Sequence, residues 1–356
     1  MAVQSILFIE LMGGIGDLVI ALPAIRALAH SHPQATVTVL TFFPGGTLLE
    51  GQPFVTEVIY ATRSKSRSDD GAPQRRDVEE LLSNRKFDII VSDTMYGGID
   101  RLVENSWATY RVSNLWRHPP ENELVGDRFL RILESERLVH ADPTVIDALL
   151  TVPETARDLA TAWRRHNLPG DLPFAILNPD AGMPIKRWQP DKFVAVGKSL
   201  SWRYNLRIVV LGGEDVEMAS SVARNIHPTA LVLPKLNLPE FAGIAAQAAL
   251  FISSDTGPAR IAAAVGTPTI ALYGPTSAAR YGLKAPHAYS SQCKRPVVVN
   301  IQSPRACSER NPLNFTLQSC WYSGCCVFHG IANCVDDIAV ESVIHTAQEI
   351  LEGKHA

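Results

Sequence analysis

At 356 residues, with 46% hydrophobic and 19% charged residues, the chain has the composition of a folded protein rather than a disordered one. Its length suits two domains of roughly 150 to 180 residues. A net charge of −3 offers no broad electrostatic footprint for nucleic acid, no apolar run approaches the roughly 20 residues that span a bilayer, and the start lacks the basic region of a secretion signal. The sequence therefore reads as cytoplasmic.

Ser5 to Glu10 (SILFIE) reads as a buried strand, Leu11 to Asp17 as a glycine-rich loop, and Leu18 to His30 as a helix with Pro23 expected to kink or break it. Thr36 to Thr41 is the next strand, so the segment is a βαβ unit with parallel pairing. The loop is a poor dinucleotide fingerprint: Gly14 and Gly16 are present, but Val19 stands at the third glycine and no acidic residue ends the second strand. A phosphate-binding P-loop fails as well, because Lys192 stands where the first glycine before Gly197-Lys198-Ser199 belongs. Asp17 has two readings. It caps the following helix, or it is a carboxylate presented at the carboxyl edge of a parallel strand, where it would serve as a general base.

Strands are expected at Val58 to Ala61 and Phe87 to Ser92, with a basic loop carrying Arg63, Lys65 and Arg67 between them. Such a loop is either solvated or a binding element for an anion. A Pro/Gly-rich connector, 168–173, follows a helix at Ala156 to Arg165. A second alternating set then begins, with strands at Phe174 to Asn178, Arg207 to Leu211, Ala230 to Leu233, Leu250 to Ile252 and Thr269 to Leu272. Alternation on both sides of a connector argues for an α/β chain of two doubly wound domains. The expected domains are 1–165, 172–335 and a C-terminal helix, 336–356, capped by Asp336-Asp337 and folding back on the first domain. Within the second set, Ser253-Ser254-Asp255-Thr256-Gly257-Pro258 opens a small-residue helix, and a helix start of this kind attracts phosphate.

Three segments together resemble glycosyltransferase family 9, the lipopolysaccharide heptosyltransferases: Ile6 to Leu28, Asn178 to Trp188 (NPDAGMPIKRW) and Leu233 to Thr276. The resemblance implies a GT-B fold, two Rossmann-like domains facing a central cleft. It further implies an inverting transfer of a sugar, heptose from ADP-heptose above all, to an acceptor hydroxyl in lipopolysaccharide or a related glycan. By position it makes Asp17 the catalytic base and Lys186 a phosphate contact. Glu214 (with Glu217 as fallback) becomes the ribose carboxylate and Leu236 a packing surface for the base, while Asp255, Thr256 and Gly257 wrap the diphosphate. Arg260 stands where the family commonly has histidine and keeps a donor near the diphosphate, which bears on the donor's identity. Gly14, Gly16, Arg63, Lys65 and Arg67 are acceptor-side candidates, the basic three pointing to an anionic acceptor. The acceptor itself stays open among lipid-linked glycan, protein and small molecule, and a lipid-linked one would bring the protein to the inner-membrane face. No cofactor is needed for the chemistry. Two other readings of the architecture are a sugar-nucleotide epimerase and a non-catalytic sugar-nucleotide-binding protein.

All six cysteines lie from Cys293 onwards, without the spacing of a paired CxxC zinc site. A structural zinc or iron held by Cys307, Cys320, Cys325 or Cys326, and Cys334 is one option. A disulfide and free buried thiols are the others.

Overall fold

The computed structural model describes residues 2–63, 72–118, 120–140, 150–168, 170, 172–286, 297–311, 313–328 and 332–354. Lys65, Arg67 and Cys293 lie outside these residues. The chain divides into two compact units, Met1–Thr151 and Val152–Ala356.

The first unit runs β1 (Ser5–Ile9), α1 (Ile15–Ser31), β2 (Thr36–Thr41), β3 (Glu57–Tyr60), α2 (Ala72–Asn84), β4 (Ile89–Ser92), α3 (Ile99–Glu104), β5 (Tyr110–Val112) and α4 (Val125–Ser135). Its sheet has the order β3-β2-β1-β4-β5, with every pairing parallel. Ile6, Leu7, Phe8 and Ile9 are wholly buried, as expected of a central strand covered on both faces. The register sets Ile9 opposite Leu40 on one side and Ser92 on the other. Glu10 and Asp93 therefore emerge side by side at the carboxyl edge, where the strand order reverses.

Pro23 neither breaks nor ends α1, which is continuous from Ile15 to Ser31. The helix buries Ala21, Leu22, Ala24, Ile25 and their neighbours, and α4 crosses it closely. A Cβ on Gly126 would lie 3.1 Å from the Ile20 carbonyl oxygen and 3.8 Å from the Pro23 ring. Packing on both faces offsets the hydrogen bond that proline removes.

The second unit comprises α5 (Glu154–Asn167), β6 (Phe174–Asn178), α6 (Pro190–Tyr204), β7 (Arg207–Leu211), α7 (Val216–Ile226), β8 (Leu231–Leu233), α8 (Leu238–Ala245), β9 (Leu250–Ser254), α9 (Gly257–Ala264), β10 (Thr269–Tyr273), α10 (Ala278–Tyr281), β11 (Val298–Gln302), α11 (Ser319–Ser323) and α12 (Val340–Leu351). Its parallel sheet has the order β11-β10-β9-β6-β7-β8. The boundary falls before α5, not in the connector after it. Ala156 and Ala160 are buried, and a Cβ on Gly243 of α8 would come within 2.5 Å of the Ala156 carbonyl oxygen, so α5 packs as part of the second unit.

The C-terminal segment differs from expectation in two respects. Asp336 and Asp337 do not cap α12, whose N-cap is Ala339. Instead Asp336 accepts from the Gln189 N–H (3.1 Å) and Asp337 receives both Nε and Nη2 of Arg305 (2.6 Å each). The buried face of α12, Val343 and Ala347, joins the second unit's own core beside Trp188, Leu200 and Ile338, where the sequence reading sends the helix to the first domain. Just before α12 the chain passes tightly under the exit of β10: a Cβ on Gly274 would sit 2.7 Å from Cβ of Val335. Among the described residues no helix is long and apolar enough to cross a membrane.

Candidate active site

In the second unit the polar residues gather at the carboxyl ends of β6, β9 and β10, around the reversal of strand order between β6 and β9. Asn178 ends β6 opposite Ser253. Its Nδ2 donates to Ser253 Oγ (3.0 Å) and reaches Thr256 Oγ1 (3.4 Å). Thr256 is the N-cap of α9, accepting from Ala259 N–H at 3.4 Å. Pro258 has no N–H and that of Ala259 is taken, so Gly257 supplies the N–H that the first turn still offers.

Asp255 is the hub. Its Oδ2 accepts from Lys186 Nζ (2.8 Å) and Thr276 Oγ1 (3.0 Å), and its Oδ1 from Arg260 Nη2 (3.0 Å). Burial pulls the carboxyl's pKa upward. Lys186 and Arg260 overcome that and hold it at about 2. Lys186 reaches this position from a 3-10 turn, Pro184–Lys186, with Nζ also 5.1 Å from the Phe315 ring centre. Arg260 is buried, and its Nη2 also donates to the Tyr281 carbonyl (2.6 Å). The structure thus makes Arg260 a partner of Asp255. Its length is the reason: from the first turn of α9 it reaches back across the helix start to the carboxylate.

Glu214 and Glu217 are both exposed, and Leu236 is half-buried immediately before Asn237, the cap of α8. The loop carrying Glu214 is fixed by a residue the sequence reading does not single out, Asp180. Its Oδ2 accepts the Glu214 N–H (3.2 Å), and its Oδ1 pairs with Arg187 Nη2 (2.9 Å). Asp180, an acid just past a strand end, and Thr276, in the loop after β10, are legible in retrospect by the rule that ligands bind at carboxyl edges.

In the first unit, Gly14 is the N-cap of α1 while Gly16 and Asp17 already belong to its first turn. Asp17 Oδ2 accepts the Gly14 N–H at 3.1 Å, the capping role foreseen for it. Arg63 Nη2 donates to the Gly13 carbonyl (2.8 Å) and its guanidinium lies over the Phe42 ring, 4.5 Å from its centre. The Leu11–Gly14 loop is tied down at three further points. Leu11 N–H donates to Thr94 Oγ1 (2.8 Å), Met12 N–H donates to Glu10 Oε1 (3.2 Å), and the Tyr96 hydroxyl donates to the Leu11 carbonyl. Glu10 and Asp93, 2% and 1% exposed, escape sequence reasoning because only the β1–β4 register unites them.

The cysteines divide. Cys307, Cys320, Cys326 and Cys334 line one cavity of about 20 Å³ together with Ile185 and Pro275, whereas Cys325 is exposed. Burial raises the Cys334 thiol and takes that of Cys320 to about 11. Among the described residues no three His, Cys, Asp or Glu side chains are placed to hold a metal ion. Four of the five candidate thiols nevertheless share the wall of that cavity.

Two parallel-sheet Rossmann-like units, each with its polar residues at the carboxyl edge, define the GT-B class of fold. Among solved structures the chain is similar to a family 9 glycosyl transferase from Veillonella parvula DSM 2008 (TM-score 0.78, 19% identity, 98% of each chain). It is also similar to the ADP-heptose lipopolysaccharide heptosyltransferase II of E. coli (TM-score 0.67, 18% identity, 99% of this chain and 100% of that one). A lipopolysaccharide heptosyltransferase 3 of Escherichia coli is 26% identical over 279 residues, covering 73% of this chain and 81% of the relative. Residues 118–311, more than half of the chain, match the model of glycosyltransferase family 9 (heptosyltransferase), and the protein belongs to that family. It is a glycosyltransferase, and the epimerase and silent-binding alternatives fall away.

Proposed function

We propose that this enzyme transfers a heptose from ADP-heptose to an acceptor hydroxyl, with inversion, in the assembly of lipopolysaccharide or a related glycan. The observation that carries the reading is the Lys186–Asp255–Arg260 arrangement beside the Thr256 cap. Two cations share one buried carboxylate, so Lys186 is able to leave for a phosphate while Asp255 keeps Arg260 and Thr276. The named relatives support the sugar and the pathway.

In this reading the acceptor O–H gives its proton to Asp17 as its oxygen attacks the anomeric carbon. The bond from that carbon to the diphosphate oxygen breaks, and the electron pair leaves on the nucleoside diphosphate. Lys186 and the Gly257 N–H meet the charge that develops there. Thr256 orients the start of α9, Glu214 (or Glu217) takes the ribose and Leu236 the base. Nothing in this step calls for a cofactor. On the acceptor side stand Gly14, Gly16 and Arg63, with Lys65 and Arg67 following in sequence. An open hollow lined by Arg75, Arg101, Asp100 and Met95 on the same unit carries one net positive charge, suited to an anionic acceptor. A lipid-linked acceptor would bring the enzyme to the inner-membrane face.

The test is thermal shift with ADP-, GDP-, UDP- and dTDP-sugars followed by turnover of Asp17→Asn. ADP-heptose should stabilise the protein by about 2.7 kcal/mol at a hundredfold excess over its Kd. Asp17→Asn should retain that shift and lose at least ~100-fold in kcat. Stabilisation by another nucleotide sugar alone would reassign the donor, and undiminished turnover would remove Asp17 from the reaction.

A further inference from the structure

Glu10 and Asp93 form a buried acidic pair that the transfer step does not use. They leave adjacent strands at the reversal of strand order in the first sheet, beneath the loop that presents Asp17. Their hydrogen bonds differ in kind. Both Glu10 oxygens accept: Oε2 from Thr41 Oγ1 at 2.6 Å and Oε1 from the Met12 N–H. Asp93 accepts at Oδ1 from Thr94 Oγ1 (2.9 Å), while its buried Oδ2 has no hydrogen-bond partner among the described residues. Glu10 is thus dressed as an anion, and Asp93 has an oxygen suited to carry a proton. The charged and titratable groups facing the pair are Asp17 from α1 and Tyr96 from the segment after β4, with Arg63 from the segment after β3 acting on Tyr96 rather than on the pair itself.

We propose that Glu10 and Asp93 are positioning residues for Asp17, with Asp93 holding a proton permanently and Glu10 exchanging one, so that charge on Glu10 both fixes the Leu11–Gly14 loop and favours proton uptake by Asp17. The loop contact follows from charge: a carboxylate is a stronger acceptor for the Met12 N–H and the Thr41 hydroxyl than a neutral acid. The second effect is Coulombic, since a negative Glu10 close to Asp17 favours the protonated form that Asp17 must reach as it receives the acceptor's hydrogen. Protonated Asp93 keeps the pair at a single negative charge, which is what burial without an internal cation allows. Burial, ahead of repulsion from Asp17, raises the Glu10 carboxyl to about 7, and burial and Glu10 raise that of Asp93 well above the usual range. Glu10 accordingly changes charge near neutrality.

The role in catalysis rests on the proposed transfer reaction, whereas the proton-holding role does not, so the experiment reads both. Carboxyl-carbon NMR of the wild-type protein should show Glu10 titrating near neutrality, and a midpoint near 4.5 would overturn the proposal. The melting temperature of Glu10→Gln relative to wild type should rise by several degrees between pH 5 and pH 8. The sign follows from linkage: a carboxyl raised in the folded state loses stability as pH climbs from its unfolded value to its folded one, and glutamine removes that loss. A pH-independent difference overturns the proposal. In turnover, wild-type kcat should rise tenfold or more with the Glu10 ionisation, and Glu10→Gln should lose that limb. An unchanged limb in the variant overturns the positioning role even if the NMR midpoint is as expected. Absence of any heptosyl transfer would instead remove the proposed reaction while leaving the two titrations to decide the state of the pair.

Discussion

The two sheets put carboxylates at equivalent places, the reversal of strand order, and treat them in opposite ways. In the second unit Asp255 sits between Lys186 and Arg260 and is held ionised, down at about 2. In the first, Glu10 and Asp93 are buried with hydroxyls and backbone N–H groups for partners, and both are pushed up. Burial acts in the same direction at both sites; the cations decide the outcome. In the proposed reaction the Asp255 arrangement would meet an anionic leaving group and the Glu10–Asp93 pair would handle a proton.

The contrast can be broken most severely at Asp255. Asp255→Ala leaves Lys186 and Arg260 facing each other without their carboxylate and should cost about 3–5 kcal/mol in urea unfolding of the second unit. A loss below about 1 kcal/mol would mean that the pair relaxes into solvent and that the hub is weaker than its geometry suggests. Lys186→Met tests whether the second cation is there for a ligand. Asp255 keeps Arg260 and Thr276, so stability should hardly move, while donor affinity measured by calorimetry should fall by ~10- to 100-fold, the loss of one charge-assisted bond of about 1.5–3 kcal/mol. The smallest effect is the acid limb. With a folded pKa of about 2 against an ordinary 3.8, Asp255 contributes about 2 kcal/mol above the unfolded value and loses it as pH falls towards 2. Asp255→Asn should flatten that part of a stability–pH curve, opposite in sign and window to what Glu10→Gln does near neutrality.

Much of this was legible in the residues themselves. The apolar runs from Ser5, Thr36, Phe174, Arg207, Leu250 and Thr269 are strands in the structure with bounds close to those read from the sequence, because strands buried on both faces announce themselves as continuous hydrophobic runs. The edge strands β5 (YRV) and β11 (VVNIQ) have no such signature: short, mixed and only partly covered, they exist because a neighbour's backbone pairs with them. At the sites, Asp255 and Thr256 stand out because a strand–loop–helix corner displays its chemistry in consecutive residues, whereas Lys186 is marked only by the family resemblance. Glu10, Asp93 and Asp180 are marked by neither. Each is an ordinary acidic residue at a strand end until the register or the adjoining loop gives it a neighbour from another part of the chain. Arg260 shows a related limit, since its position in the first turn of α9 is readable but the direction of its long side chain is not.

The crossing of Val335 beneath Gly274 ties the cysteine-bearing tail to the carboxyl edge of the second sheet, and two hydrogen bonds reinforce it, from Gln318 Nε2 to the Pro275 carbonyl (3.1 Å) and from Asn333 Nδ2 to that of Pro184 (3.0 Å). Ile185 and Pro275, which wall the thiol cavity, are the immediate chain neighbours of Lys186 and Thr276, and those two residues supply both of the contacts to one oxygen of Asp255. A bulky adduct on any of these four sulfurs would therefore act as a wedge, displacing the backbone from which Lys186 and Thr276 reach Asp255.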